Sequence, residues 1–236
     1  MPLAVRARNV MFARMIPEQR ILDLARRLRD PLPGDEAKER LAPRPAGGRL
    51  HREPAPDARV AAVLMLLVPD EQGLTMPLIL RPHVDGDVHS GQIALPGGGR
   101  EGKESVEDTA LREAQEEIGI EPSAVEILGR LSPQSIPVSN YVVHPVVGTC
   151  PERPGFRLDP VEVADAFWAP LDRLRLEQVE VRRSERAGVP FEMPGWPLPQ
   201  GFLWGATAMM LAELIALVEP PGESAQRRKD ESPTAR

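Results

Sequence analysis

The sequence predicts an α/β fold, and three observations carry that prediction. Apolar segments of strand length recur along the chain, segments with helical spacing stand among them, and prolines cluster between these elements. With 236 residues, 42% of them hydrophobic, the chain is long enough to bury a sizeable core. We expect one domain over residues 56–218, preceded by a helix and a Pro/Gly-rich linker over residues 1–55 and followed by a disordered tail over residues 219–236.

The first half of the chain predicts a surface helix, a linker and two strands. Residues 17–30 carry apolar side chains at helical spacing, opposite a largely charged face. Residues 31–58 are rich in Pro and Gly, so we expect them to link or wrap rather than pack. Residues 59–69 (RVAAVLMLLVP) and 74–82 (LTMPLILRP) are expected to be buried strands joined by a turn. Residues 90–99 (SGQIALPGGG) then predict a short strand that runs into a glycine loop.

The segment from Ser105 to Ile118 predicts an amphipathic helix with clear ends. Ser105 can cap its start, and Gly119 can end it in a left-handed conformation. Early acids, Glu107 and Asp108, suit the positive end of the helix dipole. The apolar face carries Leu111, Ala114 and Ile118. Three acids are expected together on the opposite, outward face: Glu113, Glu116 and Glu117.

The second half of the chain predicts more strands and one apolar helix. Further strands are expected within residues 124–133, 140–150 and 162–174, the last running into a turn. Residues 182–201 are expected to be irregular because Pro and Gly interrupt them. Residues 202–218 (FLWGATAMMLAELIALV) are apolar on all sides, which predicts a buried C-terminal helix.

Composition and charge argue against several classes of partner. The net charge is −6, so the basic footprint of a nucleic-acid-binding protein is missing. The apolar run at residues 60–68 is about half as long as a membrane span, so no membrane partner is expected. Cys150 is the single cysteine, which favours a reducing compartment, and we expect the cytoplasm. No secretory signal is visible, and residues 1–14 are expected to be an ordinary extension, with a transit peptide as the alternative.

Three explanations compete for the crowded acids of the predicted helix. Glu113 and Glu117 stand one helical turn apart, where like charges repel by a few tenths of a kcal/mol (about 0.2–0.5). A solvated face is the usual explanation, but basic partners for this pair are missing from the same face. A basic partner protein would also relieve the repulsion. A Mg²⁺ or Mn²⁺ ion would do so directly, because hard cations prefer carboxylate oxygens.

Residues on both sides of the acids favour the metal site. The glycine triplet Gly97–Gly99 lies upstream, where the backbone can approach a ligand closely. Glu104 precedes the helix and Arg112 lies within it, so an ion pair between them would fix the loop to the helix.

These residues together resemble a known motif, the Nudix box. Gly98, Glu104 and the run Arg112–Ile120 (REAQEEIGI) stand at the spacing of that motif. The resemblance implies the Nudix fold, an α/β/α sandwich with a mixed β-sheet, here with an N-terminal helix and a buried C-terminal helix added. It also implies hydrolysis of a nucleoside diphosphate derivative with Mg²⁺ or Mn²⁺ as cofactor.

The same resemblance assigns expected roles to individual residues. Glu113 and Glu117 are the expected main metal ligands, and Glu116 is a further one. Glu104 and Arg112 are expected to shape the loop. The resemblance does not choose which glutamate takes the proton from the attacking water.

The segment upstream of the box is similar to the coenzyme A pyrophosphatase branch of the family. The positions that match its signature are Arg81, His89, Gly91, Gln92, Pro96, Gly97 and Gly98. The resemblance implies substrate-binding roles for four of them: Arg81, His89, Gly97 and Gly98. The sequence departs from that signature at Leu95, which replaces an aromatic residue, and at Asp85 and Asp87, where an arginine is often found.

The expected reaction splits coenzyme A, or an acyl or oxidised form of it, into 3′,5′-ADP and 4′-phosphopantetheine. The expected partner is therefore a small nucleotide of the coenzyme A class, and a homodimer is a possible assembly. One alternative is hydrolysis of another diphosphate, such as ADP-ribose, NADH or a dinucleoside polyphosphate. The other alternative is a Nudix domain that binds a nucleotide without cleaving it.

Overall fold

The computed structural model of the protein describes residues 17–45, 55–71, 73–86, 89–186 and 188–218. The α-helices in these residues are α1 (Pro17–Arg27), α2 (Gly34–Lys38), α3 (Val106–Ile118) and α4 (Gly205–Val218). The strands are β1 (Arg44–Pro45), β2 (Arg59–Asp70), β3 (Gly73–Leu80), β4 (Ile93–Ala94), β5 (Gly97–Gly99), β6 (Glu126–Arg130), β7 (Gln134–Ile136), β8 (Tyr141–Thr149), β9 (Asp165–Pro170), β10 (Glu180–Arg186), β11 (Val189–Leu198) and β12 (Gly201–Trp204).

The main sheet is built around β2, whose apolar sequence suits a strand that is covered on both faces. β2 pairs in parallel with β8, and it pairs in antiparallel with β3 and β5. Antiparallel strands extend both sides: β4 and β9 pair with β3, while β6 and β7 pair with β8. One parallel pair among antiparallel pairs makes the sheet mixed, as the resemblance to the Nudix box implied.

Alternation along β2 divides the core into two layers. Successive side chains of a strand point to opposite faces, and Met65 and Leu67 belong to one hydrophobic cluster while Leu64 and Leu66 belong to the other. The first cluster also contains residues of α1 and α4, and the second contains the apolar face of α3. Helices therefore cover both faces of the sheet, and the predicted α/β/α sandwich is confirmed.

The helix α3 has the two ends that its sequence predicted. The side chain of Ser105 accepts a hydrogen bond from the backbone N–H of Asp108, and the Asp108 side chain accepts one in return from the N–H of Ser105. This reciprocal capping box satisfies donors that the first turn would otherwise leave open. At the other end Gly119 has φ +75°, a left-handed conformation that glycine adopts without steric cost.

A second, smaller sheet corrects two expectations. Residues 182–201 are not irregular, because β10 and β11 form a long antiparallel hairpin there. Residues 202–204 are not helical, because they belong to β12, which pairs with β11, and α4 begins only at Gly205. β11 carries three prolines although it pairs with β1, β10 and β12, and because proline is usually confined to edge strands and bulges, these prolines favoured an irregular segment.

The predicted N-terminal linker is also wrong in part. Residues 34–41 form α2 and a 3-10 turn that pack tightly, with Lys38 and Leu41 buried. Ile21 and Leu24 of α1 lie in the same hydrophobic cluster as Leu41 and α4. The division at residue 55 stays a prediction, although residues on both sides of it share one core.

Several expectations fall outside what the structure describes. The extension or transit peptide at residues 1–14 and the disordered tail at residues 219–236 lie outside the described residues. Within the described part of the chain, no helix combines the length and the hydropathy that crossing a membrane requires. The cytoplasmic location and the homodimer stay predictions.

Candidate metal and active site

Three carboxylates meet at the C-terminal half of α3. Glu113 and Glu117 come from the helix, and Glu162 comes from the connection between β8 and β9. One oxygen of each lies within 4.8 Å of the others. Glu117 is buried, Glu113 is half-buried and Glu162 is exposed, so the cluster opens to solvent on the side of Glu162.

Glu117 is the buried member of this carboxylate cluster, which corrects the predicted outward position. Only 2% of its surface is exposed, because it borders the stripe of Ala110, Ala114 and Ile118 that packs on the sheet. Its Oε2 accepts a hydrogen bond of 2.8 Å from the backbone N–H of Gly97.

The surroundings of Glu117 favour its neutral form in the absence of a cation. Burial, followed by the negative charges of Glu113 and Glu162, raises its pKa from 4.5 to about 8. The hydrogen bond from Gly97 and the positive charge of Arg81 oppose that rise in pKa. A cation bound between the carboxylates would remove the repulsion and favour the ionised form.

Glu113 occupies a space that only a glycine leaves open. A Cβ atom on Gly98 would lie 2.5 Å from Oε2 of Glu113, so any side chain at residue 98 would displace the carboxylate. Burial raises the pKa of Glu113, and the adjacent Arg112 opposes this change. Arg112 Nη1 lies 3.0 Å from Glu113 Oε1, which corrects the expectation that Glu113 lacks a basic partner.

The predicted pairing of Arg112 with Glu104 is present. Arg112 donates from Nε to Oε1 of Glu104 at 2.9 Å and from Nη2 to the carbonyl oxygen of Gly99 at 3.0 Å. Hydrogen bonds from the Arg112 side chain, and then from the N–H of Glu101, lower the pKa of Glu104 to about 2. The hydrogen bond to Glu104 in turn raises the pKa of Arg112. Arg112 therefore ties the loop before α3 and the end of β5 to the helix that carries the acids.

Glu116 is placed apart from the carboxylate cluster. Its side chain is 55% exposed and accepts a hydrogen bond of 2.8 Å from Arg112 Nη1. Among the described residues, the group with metal-ligand spacing contains Glu162 and not Glu116. The role of Glu116 as a further ligand stays a prediction.

The glycine triplet is a strand rather than the predicted loop. Gly97–Gly99 form β5, which pairs with Ala61–Val63 of β2. A Cβ atom on Gly97 would collide with the carbonyl oxygen of Ala62, so the close pairing itself demands glycine there. The triplet therefore brings the backbone N–H of Gly97 to Glu117 and leaves room for Glu113 at Gly98.

The described part of the upstream segment is held together by contacts to Gln92. Arg81 donates its backbone N–H to the carbonyl of Gln92 at 3.0 Å, and His89 Nδ1 lies 3.3 Å from Gln92 Oε1. The positive charge of Arg81 opposes the rise in the pKa of Glu117. Asp85 is exposed, and Asp87 lies outside the described residues. The substrate-binding roles of Arg81, His89, Gly97 and Gly98 stay predictions.

Glu162 is the residue that sequence reasoning missed. It stands just before β9, within a segment that was expected to be strand from residue 162 onward. No local motif distinguishes it from the other exposed acids of the chain. The turn before β9 brings Glu162 to α3, and its place depends on contacts between segments that are distant in the sequence.

A protein-family match agrees with this site. The family model described as the NUDIX domain matches residues 58–190, more than half of the chain. The chain belongs to the Nudix family. Nudix hydrolases cleave pyrophosphate bonds in small nucleotide-derived molecules, generally with divalent metals such as Mg²⁺, and this chain is a pyrophosphohydrolase of that kind.

The relatives of this Nudix hydrolase include several proteins with one name. An uncharacterized Nudix hydrolase named NudL from Pectobacterium atrosepticum is 37% identical over 142 residues, 58% of this chain and 72% of the relative. The NudL of Shigella flexneri is 34% identical over 168 residues, 70% of this chain and 85% of the relative. Among solved structures, a MutT/nudix family protein from Enterococcus faecalis is 20% identical with a TM-score of 0.49, covering 71% of this chain and 64% of that one.

The carboxylate cluster of this Nudix hydrolase fits a hard divalent cation. All three donors are carboxylate oxygens, the ligands that Mg²⁺ and Mn²⁺ prefer. Burial, and then repulsion from the neighbouring carboxylates, raises the pKa of Glu113 and of Glu117, and a bound cation would oppose both effects. Glu113, Glu117 and Glu162 would therefore hold the ion.

We expect pH to have opposite effects on the stability of the metal-free Nudix hydrolase and on its affinity for Mg²⁺. The pKa of Glu117 is about 8 in the folded chain against an ordinary value of 4.5, so between these values the folded state binds the extra proton. The free energy of unfolding without metal should therefore fall as pH rises through this window. Affinity for Mg²⁺ should rise over the same window, because the ion binds the ionised carboxylate.

Thermal unfolding with and without Mg²⁺, measured from about pH 5 to about pH 9, checks this expectation. The Glu117→Gln variant is the control, since it has no proton to lose and both pH trends should become shallower. Metal-free stability that stays level across the window in the wild type would contradict the raised pKa.

Proposed function

We propose that this Nudix hydrolase cleaves the pyrophosphate of coenzyme A, or of its acyl or oxidised forms, to 3′,5′-ADP and 4′-phosphopantetheine. The observation that supports the proposal is the sequence around Arg81, His89 and Gln92, which matches the signature of the coenzyme A branch and leads into β5, the strand whose Gly97 N–H donates to Glu117. The positive charge of Arg81 opposes the rise in the pKa of Glu117, so Arg81 is the cationic group that we assign to the diphosphate.

The residues of the site have two roles, to hold a divalent ion and to keep the carboxylates in position. Glu113, Glu117 and Glu162 would hold a divalent ion, which when bound neutralises the diphosphate and activates water. Hydrogen bonds from Arg112 to Glu104 and to the carbonyl oxygen of Gly99 hold α3 against β5, which keeps the carboxylates in position. The exposed side of the cluster, at Glu162, is the side from which substrate and water can enter.

Another diphosphate is the second candidate, and one observation favours it. Asp85 is exposed on the segment that would face the substrate, and coenzyme A brings an additional 3′-phosphate that a carboxylate repels. ADP-ribose, NADH or a dinucleoside polyphosphate would avoid this repulsion. A nucleotide-binding domain without catalysis is disfavoured, because the three carboxylates and the pairing of Arg112 with Glu104 are all present.

A product assay distinguishes these substrates. The full chain is incubated with Mg²⁺ and, separately, with coenzyme A, dephospho-coenzyme A, ADP-ribose and NADH, and the products are separated by chromatography. We expect 3′,5′-ADP from coenzyme A, and the rate with dephospho-coenzyme A measures the effect of the 3′-phosphate on cleavage. The Glu117→Gln protein, purified in the same way, reports any contaminating hydrolase.

Two other results of the product assay would overturn the proposal. Cleavage of ADP-ribose or NADH with coenzyme A left intact would overturn the substrate and favour the second candidate. Failure to cleave any of these compounds with Mg²⁺ or Mn²⁺ would overturn the proposed reaction and favour a binding domain.

A further inference from the structure

Glu162 occupies its place in the cluster although it belongs to no helix or strand. It lies in a strap, defined here as residues 157–163, between β8 and β9. An exposed carboxylate on an irregular segment can adopt many positions, and holding it against two others costs side-chain entropy as well as repulsion. Contacts within the strap are therefore needed to hold the Glu162 carboxylate in the cluster.

The first part of the strap is bound to the C-terminal end of α3. The N–H of Arg157 donates to the carbonyl oxygen of Ile118 at 2.9 Å, and the N–H of Asp159 donates to that of Glu117 at 3.0 Å. The last carbonyls of a helix lack partners within it, so the strap satisfies them. The backbone carbonyl of Glu117 thus accepts a hydrogen bond from the strap, while the side chain of Glu117 lies in the cluster.

Gly119 makes this close approach possible. A Cβ atom at Gly119 would lie 2.8 Å from the Cβ of Arg157 and 3.2 Å from its backbone nitrogen. The glycine that ends α3 therefore also provides the surface on which the strap lies. The C-terminal end of α3 therefore packs directly against the strap.

The second part of the strap is a turn organised by Asp159. Its Oδ1 accepts a hydrogen bond of 2.7 Å from the N–H of Val161, and its carbonyl oxygen accepts bonds from the N–H groups of Val163 at 2.9 Å and Glu162 at 3.3 Å. Val163 is 2% exposed and anchors the end of the turn in the core. A side chain that bonds the backbone two residues on stabilises such a turn.

We propose that Asp159 is the positioning residue for Glu162, holding that carboxylate against Glu113 and Glu117 so that the three bind one divalent cation. The inference rests on the function proposed above in taking the cluster as a cation site. That site is identified by the Nudix box as well as by its acids, since Glu113 and Glu117 lie in the box. Asp159 acts through the turn, and we assign it no contact with the substrate.

Two substitutions at the same position separate geometry from charge. Asp159→Asn keeps an oxygen that can accept from the N–H of Val161 but removes the charge. Asp159→Glu keeps the charge but carries its oxygens one methylene further from the backbone, out of the turn. If the turn positions Glu162, the Asn variant should bind Mn²⁺ within about threefold of the wild type, and the Glu variant about 10- to 100-fold more weakly, the range for residues that orient a metal ligand.

The measurement is Mn²⁺ affinity of the full-length protein by electron paramagnetic resonance, without substrate, with thermal unfolding of each variant alongside. Val161→Ala is the matched control, because it keeps the N–H and removes only an exposed side chain from the same turn. Glu162→Gln should weaken Mn²⁺ binding, and adding Asp159→Glu to it should cost little more, since both act on one ligand.

Reversal of the order of the two variants, with Asn weak and Glu strong, would show that Asp159 acts by charge and would overturn the proposal. Wild-type affinity in a folded Asp159→Glu variant would overturn it as well. A chain that follows the expected order but leaves coenzyme A intact overturns only the proposed substrate. A wild-type chain that binds no Mn²⁺ overturns both proposals.

Discussion

Replacing Glu117 with Gln is expected to lower turnover by orders of magnitude, because it removes a charged ligand of the ion that activates the water. The change removes one negative charge from the cation site while conserving size. Folding should change little, because the amide oxygen of Gln can still accept the hydrogen bond from Gly97 that Oε2 of Glu117 now accepts. A neutral amide also suits this buried position better than a carboxylate does.

Steady-state kinetics of the Glu117→Gln variant with saturating Mg²⁺ and a cleaved diphosphate, together with its thermal unfolding, checks this expectation. Glu126→Gln is the matched control, because Glu126 is an exposed acid on β6 outside the cluster. A variant that unfolds rather than losing turnover would show that Glu117 has a structural role. Unchanged turnover in a folded variant would remove Glu117 from the active site.

Replacing Lys38 with Met is expected to lower the free energy of unfolding by about 3–5 kcal/mol, the cost of leaving one partner of a buried ion pair behind. Lys38 and Glu213 are 1% and 0% exposed, and Lys38 Nζ lies 3.4 Å from Glu213 Oε2. Lys38 also donates to the carbonyl oxygens of Ser132 at 2.7 Å and Pro133 at 3.0 Å. Both carbonyls would lose this donor, and the carboxylate of Glu213 would stay buried without its cation.

The midpoint of thermal unfolding should fall by roughly 6 to 20 °C for a chain of this size. Lys103→Met is the control, because Lys103 is exposed in the loop before α3. Combining Lys38→Met with Glu213→Gln should recover much of the loss, since the uncompensated charge is then gone. A single variant as stable as the wild type would show that the pair contributes no net stability.

The parts of the fold that local pattern determines were predictable. Apolar runs of strand length gave β2 and β3, and a serine cap with a glycine stop gave both ends of α3. The hairpin of β10 and β11 was not predictable in this way. β10 is exposed on both faces and β11 is interrupted by prolines, so neither shows the alternation that marks a half-buried strand.

The candidate site was predictable to the extent that it lies in one contiguous motif. The spacing of Glu113 and Glu117 showed their proximity, but the helix pattern alone placed Glu117 outward. Its actual burial depends on β5 lying against the helix. Glu162 is separated from Glu117 by more than forty residues, and its place depends on a turn that is bound to the end of α3 by backbone hydrogen bonds and organised by the Asp159 side chain.

The matched family region and the folded unit of this protein differ in extent. The match ends at residue 190, inside β11, so the remainder of that strand, β12 and α4 lie beyond it, and α1 and α2 lie before residue 58. Trp196 and Leu203 nevertheless lie in the same hydrophobic cluster as Met65 of the central strand. A fragment cut at the family boundaries would lose the cover of one whole sheet face. Fusing this enzyme to another protein therefore requires the segments before residue 58 and after residue 190, because they form part of its hydrophobic core.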